Sequence, residues 1–445
     1  MGAFSFMYSE YACCRATSEC MRKKCALFLC IGHGVRRPRD MSATEHQTMS
    51  DTTALQNAKR AKLDEFYTQY ADIQTEMNAY LEYNPDTFRG KTVLPPCDDP
   101  EWSNFTRYFA ENFANLGLKK LISTSYAPDA KREKYGILFD YAAEMSGEKP
   151  KNERGKIFVL DHDVTGDGKV NFEDIEWKYL DGDGDFRSAE VKELRDEADV
   201  VVTNPPFSLF REFLAWIMAA GKEFAIIGNR NAITYKEVFP LIKANRIWLD
   251  NPFVRGAGYF KSPIEVDKKL SYYNSHDYRE GLIRVPGVRW FTNLEHGRRH
   301  QPLQLMTMAD NIKYSRHKEV KGIGYRKYDN YDAIEVPFTD AIPSDYDGVM
   351  GVPISFLDKY CPDQFEIVGV AKAGAGDPAL KTRFYPEQIQ VARDGRETTV
   401  TKLNDGPVLK VADPPEGEQY YKIGDEIFMQ VYARILICRK RGDVK

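Results

Sequence analysis

The stretch Val201–Phe210, VVTNPPFSLF, limits what this 445-residue chain can fold into more than any other. A β-branched run meets Asn204, Pro205 and Pro206. Neither proline has an N–H to give to a sheet or a helix interior, and each fixes its own φ. Proline also drives the residue before it out of the helical region. The spacing predicts a buried strand over 199–203, a stiff corner, and then a helix. That helix places Leu209, Phe210, Phe213, Leu214, Ile217 and Met218 on one face, and Gly221 stops it.

The same alternation runs on both sides of the corner. Helical spacing covers 63–83, and 91–97 reads as a short strand ending in prolines. A helix over 103–117 has Ser103 as N-cap and Gly117 beyond its end. Strands are predicted over 119–126, 155–161, 223–229 and 246–249, with a helix over 234–245 before the last. Repeated strand–helix units imply an α/β fold with a doubly wound parallel sheet and ligands at the carboxyl ends of its strands. Past about residue 250 the regularity fails, and Gly-, Pro-, Tyr- and Asp-rich stretches read as loops and short strands.

Hydrophobic residues make up 42% of the chain, enough for a packed core, but no apolar run reaches the ~20 residues of a membrane helix. The net charge of −4 does not itself call for a polyanionic partner, so a nucleic-acid surface has to be a local patch. Cys13, Cys14, Cys20, Cys25 and Cys30 crowd the start and leave Cys97, Cys361 and Cys438 for the body. That is no disulfide framework, and it points to a reducing cytoplasm. His33 and His46 lie near the cluster, yet no clean pair of CxxC units marks a metal knuckle. MRKKCALFLCIG (21–32) has the basic start of a signal peptide, but its apolar run is short and no cleavage site follows. With Met41 and Met49 as alternative starts, residues 1–48 are set outside the fold as a poorly ordered extension.

The corner also carries chemistry. A rigid Asn-Pro-Pro turn aims the Asn204 side-chain oxygen and the Pro205 carbonyl at one point. An exocyclic NH₂ group donates two hydrogen bonds, so two fixed acceptors match it and leave the nitrogen lone pair for a methyl-cation donor. Phe207 offers a flat apolar face on which an extruded base stacks. The bland alternative is a tight turn with Phe207 in the core; the strand before and the helix after favour chemistry.

The chain resembles the γ-arranged N6-adenine DNA methyltransferases, specifically the EcoRI-type modification enzymes. The resemblance rests on DEFYTQY (64–70), CDDPEWSNFTRYF (97–109), LGLKKLI (116–122), GDGDFRS (182–188), VVTNPPFSLFREF (201–213), IIGNRNAITYKEVF (226–239), WFTNL (290–294), KYDNYDAI (327–334) and DYDGVMGVPISFL (345–357), in one order. It implies a Rossmann-like sheet that uses S-adenosylmethionine, followed by an irregular target-recognition region. The implied divisions are the extension 1–48, a catalytic domain 49–300 and a recognition region 301–445; the segment 371–432 resembles nothing usable. Asn204, Pro205, Pro206 and Phe207 are implied as the catalytic motif. Tyr67 and Thr68 would lie against the methionine end of the cofactor. Asp98, Asp99 and Pro100 would border it, and Asp183, Asp185 and Phe186 would approach its adenine.

Two features depart from the usual cofactor-binding pattern. The loop DDPEWSN lacks the GxG that lets a backbone come close, and the strand end STSY (123–126) has no acid for ribose hydroxyls. Nearby, DVTGDGKVNFED (163–174) matches much of a calcium loop, but the strand-like run before it favours an acidic turn between strands. This chemistry needs no metal, and His296, His300 and His317 read as polar loop residues.

Between 284 and 327 ten cations face only Glu295, Asp310 and Glu319, a local net of +7. Duplex DNA is expected on this patch, through Arg289, Arg298, Arg299, Arg316, Lys318, Lys321, Arg326 and Lys327. A solvated charged loop is the alternative. Asn330 and Asp332 either touch bases or cap turns. The expected activity is site-specific methylation of N6 of a flipped-out adenine in duplex DNA. The expected setting is a cytoplasmic monomer, with a cognate restriction endonuclease acting on the same site without a stable complex. RNA or protein-glutamine amides are alternative substrates, since they pose the same planar NH₂ problem. A non-catalytic calcium- or DNA-binding protein is the reading from another class.

Overall fold

The computed structural model describes residues 67–440 apart from 97, 99–102, 127–153, 251–252, 254–256, 262–281 and 375–379. The cysteine-bearing extension, Cys97, Asp99 and Pro100 lie outside the described residues.

The chain enters through β1 (Tyr67–Thr68) and α1 (Tyr70–Tyr83). Then follow β2 (Thr92–Leu94), α2 (Asn104–Glu111), α3 (Phe113–Leu116), β3 (Lys120–Ser125), β4 (Lys156–Leu160) and β5 (Glu176–Tyr179). Helix α4 (Ala189–Glu197) leads to β6 (Val200–Thr203), α5 (Phe210–Ala219), β7 (Glu223–Asn229), α6 (Phe239–Lys243) and β8 (Trp248–Asp250). Strands β9 (Ala257–Lys261), β10 (Leu282–Pro286) and β11 (Val288–Thr292) come next.

Eight strands form the main sheet in the order β5-β4-β3-β2-β6-β7-β11-β8. The four central strands are parallel, as expected, while β4, β5 and β11 run antiparallel to their inner neighbours. The chain leaves β2 for β3 on one side and returns to β6 on the other. That reversal opens a crevice at the carboxyl ends of β2 and β6.

Alternate side chains of a strand leave by opposite faces. Val200 and Val202 join Phe105, Phe109 and Trp290 under α1 and α2, while Val201 joins Phe213, Leu214 and Ile217 of α5. Burying each such side chain contributes about 1.5–3 kcal/mol. Gly228 of β7 is required by this packing, because a Cβ there would lie 2.4 Å from the ring of Phe210. Its absence lets the first turn of α5 press against the sheet directly after the corner.

The second half begins with α7 (Met308–Tyr314), β12 (Ile334–Glu335), β13 (Met350–Pro353) and β14 (Phe365–Ala371). It continues with β15 (Gln388–Val391), β16 (Glu397–Val400), β17 (Val408–Val411), β18 (Tyr420–Ile423), β19 (Glu426–Gln430) and β20 (Arg434–Arg439). Strand β20 returns between β13 and β14 in a four-stranded sheet, so β15–β19 form a five-stranded sheet inserted between two neighbouring strands. This sheet is the region 371–432 that matched no pattern. Its strands QIQV and ETTV each carry too few apolar side chains to signal a core; one forms only when Tyr385, Leu403, Val408, Tyr421 and Phe428 meet. Ile334, Val352, Ile367 and Ile435 share one core with α5 and α6, so packing does not break at residue 300.

Three predicted helices differ in extent. The first begins only at Tyr70, because Tyr67 and Thr68 pair with Lys261 and Phe260. The helix over 103–117 breaks at Asn112, whose Nδ2 donates to the Tyr108 carbonyl at 2.9 Å in competition with the helix ladder. The one over 234–245 shrinks to α6, since Pro240 fits only the first turn of a helix.

Between α1 and β8 an ionisable group is buried in the core. Glu76 is fully buried and accepts the Tyr80 hydroxyl, while Asp250 pairs with Arg298 and lies 3.9 Å from His296. Burial, then the Asp250 charge, pushes the Glu76 carboxyl well above its ordinary range. The unfolded chain ionises Glu76 at a lower pH than the folded one, so stability falls as pH rises from the ordinary carboxylate value toward the raised one. Thermal melts of wild type and Glu76→Gln across pH 5–9 should show a smaller loss in the variant at the alkaline end. Parallel curves would place Glu76 in an ordinary environment.

Candidate active site

The crevice is built by two strand ends held together. Val93 and Leu94 of β2 pair with Val200 and Val201 of β6. The Thr203 hydroxyl reaches the Pro96 carbonyl at 3.1 Å and Asp98 Oδ2 at 2.5 Å. Directly after it the corner turns, with Pro205 buried and Asn204, Pro206 and Phe207 half-buried. Pro206 has φ −53°, and Phe207–Leu209 form a single 3-10 turn whose Leu209 N–H donates to the Pro206 carbonyl at 2.9 Å. Phe207 packs at the margin of the α1/α2 core, so its ring is not swallowed by it.

The entry of α1 is tied to the start of α2. Asn104 Nδ2 at the start of α2 donates to the Thr68 carbonyl at 2.7 Å, which brings Thr68 to the loop that follows β2. Thr68 is 2% exposed, yet its hydroxyl and the amide Nε2 of Gln69 have no hydrogen-bond partner among the described residues. Buried polar groups are rarely left so, and a water or a bound polar ligand supplies the missing partner. The sequence named Tyr67 and Thr68 but neither Gln69 nor Asn104, whose side chains join them here.

A third wall closes the end of β3. Gly184, at φ +83°, brings the 182–185 loop so near that a Cβ would meet the Ser125 carbonyl at 2.3 Å. This delivers Asp183 and Asp185 beside Tyr126, where burial and then these two carboxylates raise the phenol. Asp185 is also held by Arg187 at 2.7 Å, which lowers its carboxyl. Two acids thus stand at the end of β3 although STSY itself carries none. Phe186 departs from its expected place: it is 3% exposed and packs edge-on against Phe213 and Trp216, so its ring belongs to the core. Asp98 also differs, since its carboxylate turns to Ser103 and Thr203 rather than standing clear at the border.

The 163–174 segment joins antiparallel β4 and β5, and its carboxylates are turned onto its own backbone. Asp163 accepts from Gly166 and Gly168, and Asp174 from Val164, Thr165 and Asn171. These bonds depress the Asp174 carboxyl.

The basic region sorts into two kinds. Arg289 is 3% exposed and bidentate to Asp358 at 2.9 and 3.0 Å, so it is a core ion pair and not a DNA contact. Arg299 is equally buried, stacked 3.8 Å over Trp248 and bonded to Glu295. Asn330 is fully buried; it takes the Val408 N–H and donates to the Gly406 carbonyl, both at 2.9 Å, tying the inserted sheet down. Arg298, Arg316 and Lys327 pair with Asp250, Asp340 and Asp332. Lys318, Lys321 and Arg326 are exposed and carry no ion pair among the described residues.

The profile of a family described as Adenine-specific methyltransferase EcoRI matches residues 54–440. The chain belongs to that family. It is 44% identical over 318 residues to the Type II methyltransferase M.EcoRI of Escherichia coli, covering 72% of this chain and 89% of the relative. M.MpnI of Mycoplasma pneumoniae is 35% identical over 333 residues (74% and 89%), and M.MgeORF184P of Mycoplasma genitalium 32% over 369 (80% and 93%). No solved structure matches. The chain is therefore an enzyme, a site-specific DNA adenine methyltransferase. Its family uses S-adenosylmethionine in general, and the orphaned Thr68 and Gln69 groups fit a ligand with a charged amino-acid end. No helix among the described residues is long and apolar enough to cross a membrane.

An orphaned buried hydroxyl costs about 1–3 kcal/mol, which a ligand recovers. Thr68→Val should therefore melt no lower than wild type while binding S-adenosylmethionine about tenfold more weakly, since a bond to a charged group is worth about 1.5–3 kcal/mol. Titration calorimetry showing unchanged affinity would remove Thr68 from the cofactor site.

Proposed function

We propose that this methyltransferase binds duplex DNA, extrudes one adenine, and transfers the methyl group of S-adenosylmethionine to its N6. The observation that carries the reading is the Asn204–Phe207 corner at the point where strand order reverses, tied through Asp98 and Ser103 to the start of α2 that holds Thr68. Asn204 and the Pro205 carbonyl accept the two amine hydrogens, and Phe207 stacks on the ring. Their bonds hold the N6 lone pair toward the methyl carbon. Bound S-adenosylmethionine supplies that carbon as a sulfonium methyl group. After the new N–C bond replaces the S–C bond, the amine loses one proton to water.

Tyr67 and Thr68 flank the methionine end, Asp99 and Pro100 complete the border, and Asp183 and Asp185 serve the adenosine end. Lys318, Lys321 and Arg326 bind phosphates. The enzyme acts as a cytoplasmic monomer within a restriction–modification system, its partner endonuclease meeting the same site separately; the Type II names of its relatives support the restriction–modification part of that setting.

Purified protein incubated with tritiated S-adenosylmethionine and duplex DNA should place label in N6-methyladenine. The Asn204→Ala, Phe207→Ala double variant should place none. Label appearing only on RNA or on a protein amide would overturn the substrate.

Replacing Lys318, Lys321 and Arg326 together by Ala should lower the slope of log affinity against log salt by about 2.7, since each phosphate contact contributes ~0.9. Arg289→Ala should leave that slope alone and destabilise the fold by about 3–5 kcal/mol, because it strands the buried Asp358.

A further inference from the structure

We propose that Asp98 is a strut: it sets the catalytic corner by gripping Thr203 and does not itself touch cofactor or base. The proposal rests on the methyl-transfer reading above. Asp98 is 8% exposed, and each carboxylate oxygen already holds a hydroxyl. Ser103 Oγ donates to Oδ1 at 2.7 Å and Thr203 Oγ1 to Oδ2 at 2.5 Å. The Asp98 carbonyl in turn accepts the Ser123 hydroxyl and lies 3.2 Å from Thr106 Oγ1.

Each of these partners belongs to a different part of the site. Ser103 caps α2, its Oγ accepting the Phe105 N–H at 3.2 Å while its proton goes to Asp98. Ser123 lies on β3, Thr106 on α2, and their hydroxyls are 2.8 Å apart. Thr203 is the last residue of β6, one peptide before Asn204. One side chain and its carbonyl thus lock the start of α2, strand β3 and the corner together.

The pattern bears on the hydroxyl-rich strand end of the sequence. Ser123, Thr124 and Ser125 are all buried, and of these Ser123 joins the bracing through the Asp98 carbonyl, while Ser125 Oγ accepts the Lys156 N–H at 3.2 Å. A carboxylate is acceptor-only, whereas an amide in its place brings a donor, so Asp98→Asn can keep only one of the two hydroxyl bonds unturned.

Four proteins test the strut: wild type, Thr203→Val, Thr203→Ser and Asp98→Asn. Each is measured for S-adenosylmethionine Kd by calorimetry, for kcat of label transfer into duplex DNA at saturating cofactor, and for its thermal melt. Small misplacements of reacting groups cost up to about 100-fold, so Thr203→Val and Asp98→Asn should lower kcat about 10- to 100-fold with Kd held within about threefold. Thr203→Ser, which keeps the hydroxyl, should restore kcat to within about threefold of wild type. If Thr203→Val does not fold, the near-isosteric Asp98→Asn carries the comparison.

Weakened Kd with normal kcat would make Asp98 a cofactor ligand and overturn the strut. So would a Thr203→Ser protein as slow as Thr203→Val, since the hydroxyl would then be irrelevant. Failure of wild type to label any adenine would instead sink the methyl-transfer reading, and the strut's catalytic role with it.

Discussion

The site depends on the pairing of β2 with β6, closed at its upper end by the Thr203–Asp98 bond. Parallel neighbours at a reversal of strand order leave their carboxyl ends open, and no helix crosses between them. Two of the site's walls follow these two ends: the corner after β6, and after β2 the start of α2, whose Asn104 holds the Thr68 carbonyl. Were the ends to part, the Thr203–Asp98 bond that joins the corner to the start of α2 would be lost.

Rigidity is supplied from below by shape. Prolines stiffen the corner itself, but Phe210 pressed against Gly228 fixes the direction in which α5 departs. The alternation of Val200, Val201 and Val202 buries both faces of β6, so the strand that carries Asn204 is among the most enclosed in the molecule. A catalytic group at the end of such a strand inherits its immobility. The polar walls, by contrast, are spliced in from loops: Asp183 and Asp185 reach the end of β3 only because Gly184 tolerates contact with a carbonyl.

Charge tells a different story in sequence and in space. Ten cations between 284 and 327 look like one patch, yet Arg289 and Arg299 are core residues, Arg298 and Arg316 pair with acids distant along the chain, and Lys327 pairs with the nearby Asp332. Only Lys318, Lys321 and Arg326 are left as exposed, unpaired cations from the eight expected on DNA. Counting charge along a chain cannot anticipate this, because the compensating Asp250, Asp340 and Asp358 arrive by tertiary packing.

Sequence alone determined what local physics controls. The proline corner, the valine strand before it, the N-cap at Ser103 and the stop at Gly117 follow from backbone sterics and capping, and each stands where its residues put it. The parallel centre of the sheet follows from the strand–helix alternation. Tertiary structure decided the rest: the antiparallel margins, the inserted five-stranded sheet, and the burial of Arg289, Asn330 and Phe186. It also decided that Asp98 turns inward to Thr203. In all of these the deciding partner lies far away in the chain, and a side chain's role is set by what occupies the volume beside it.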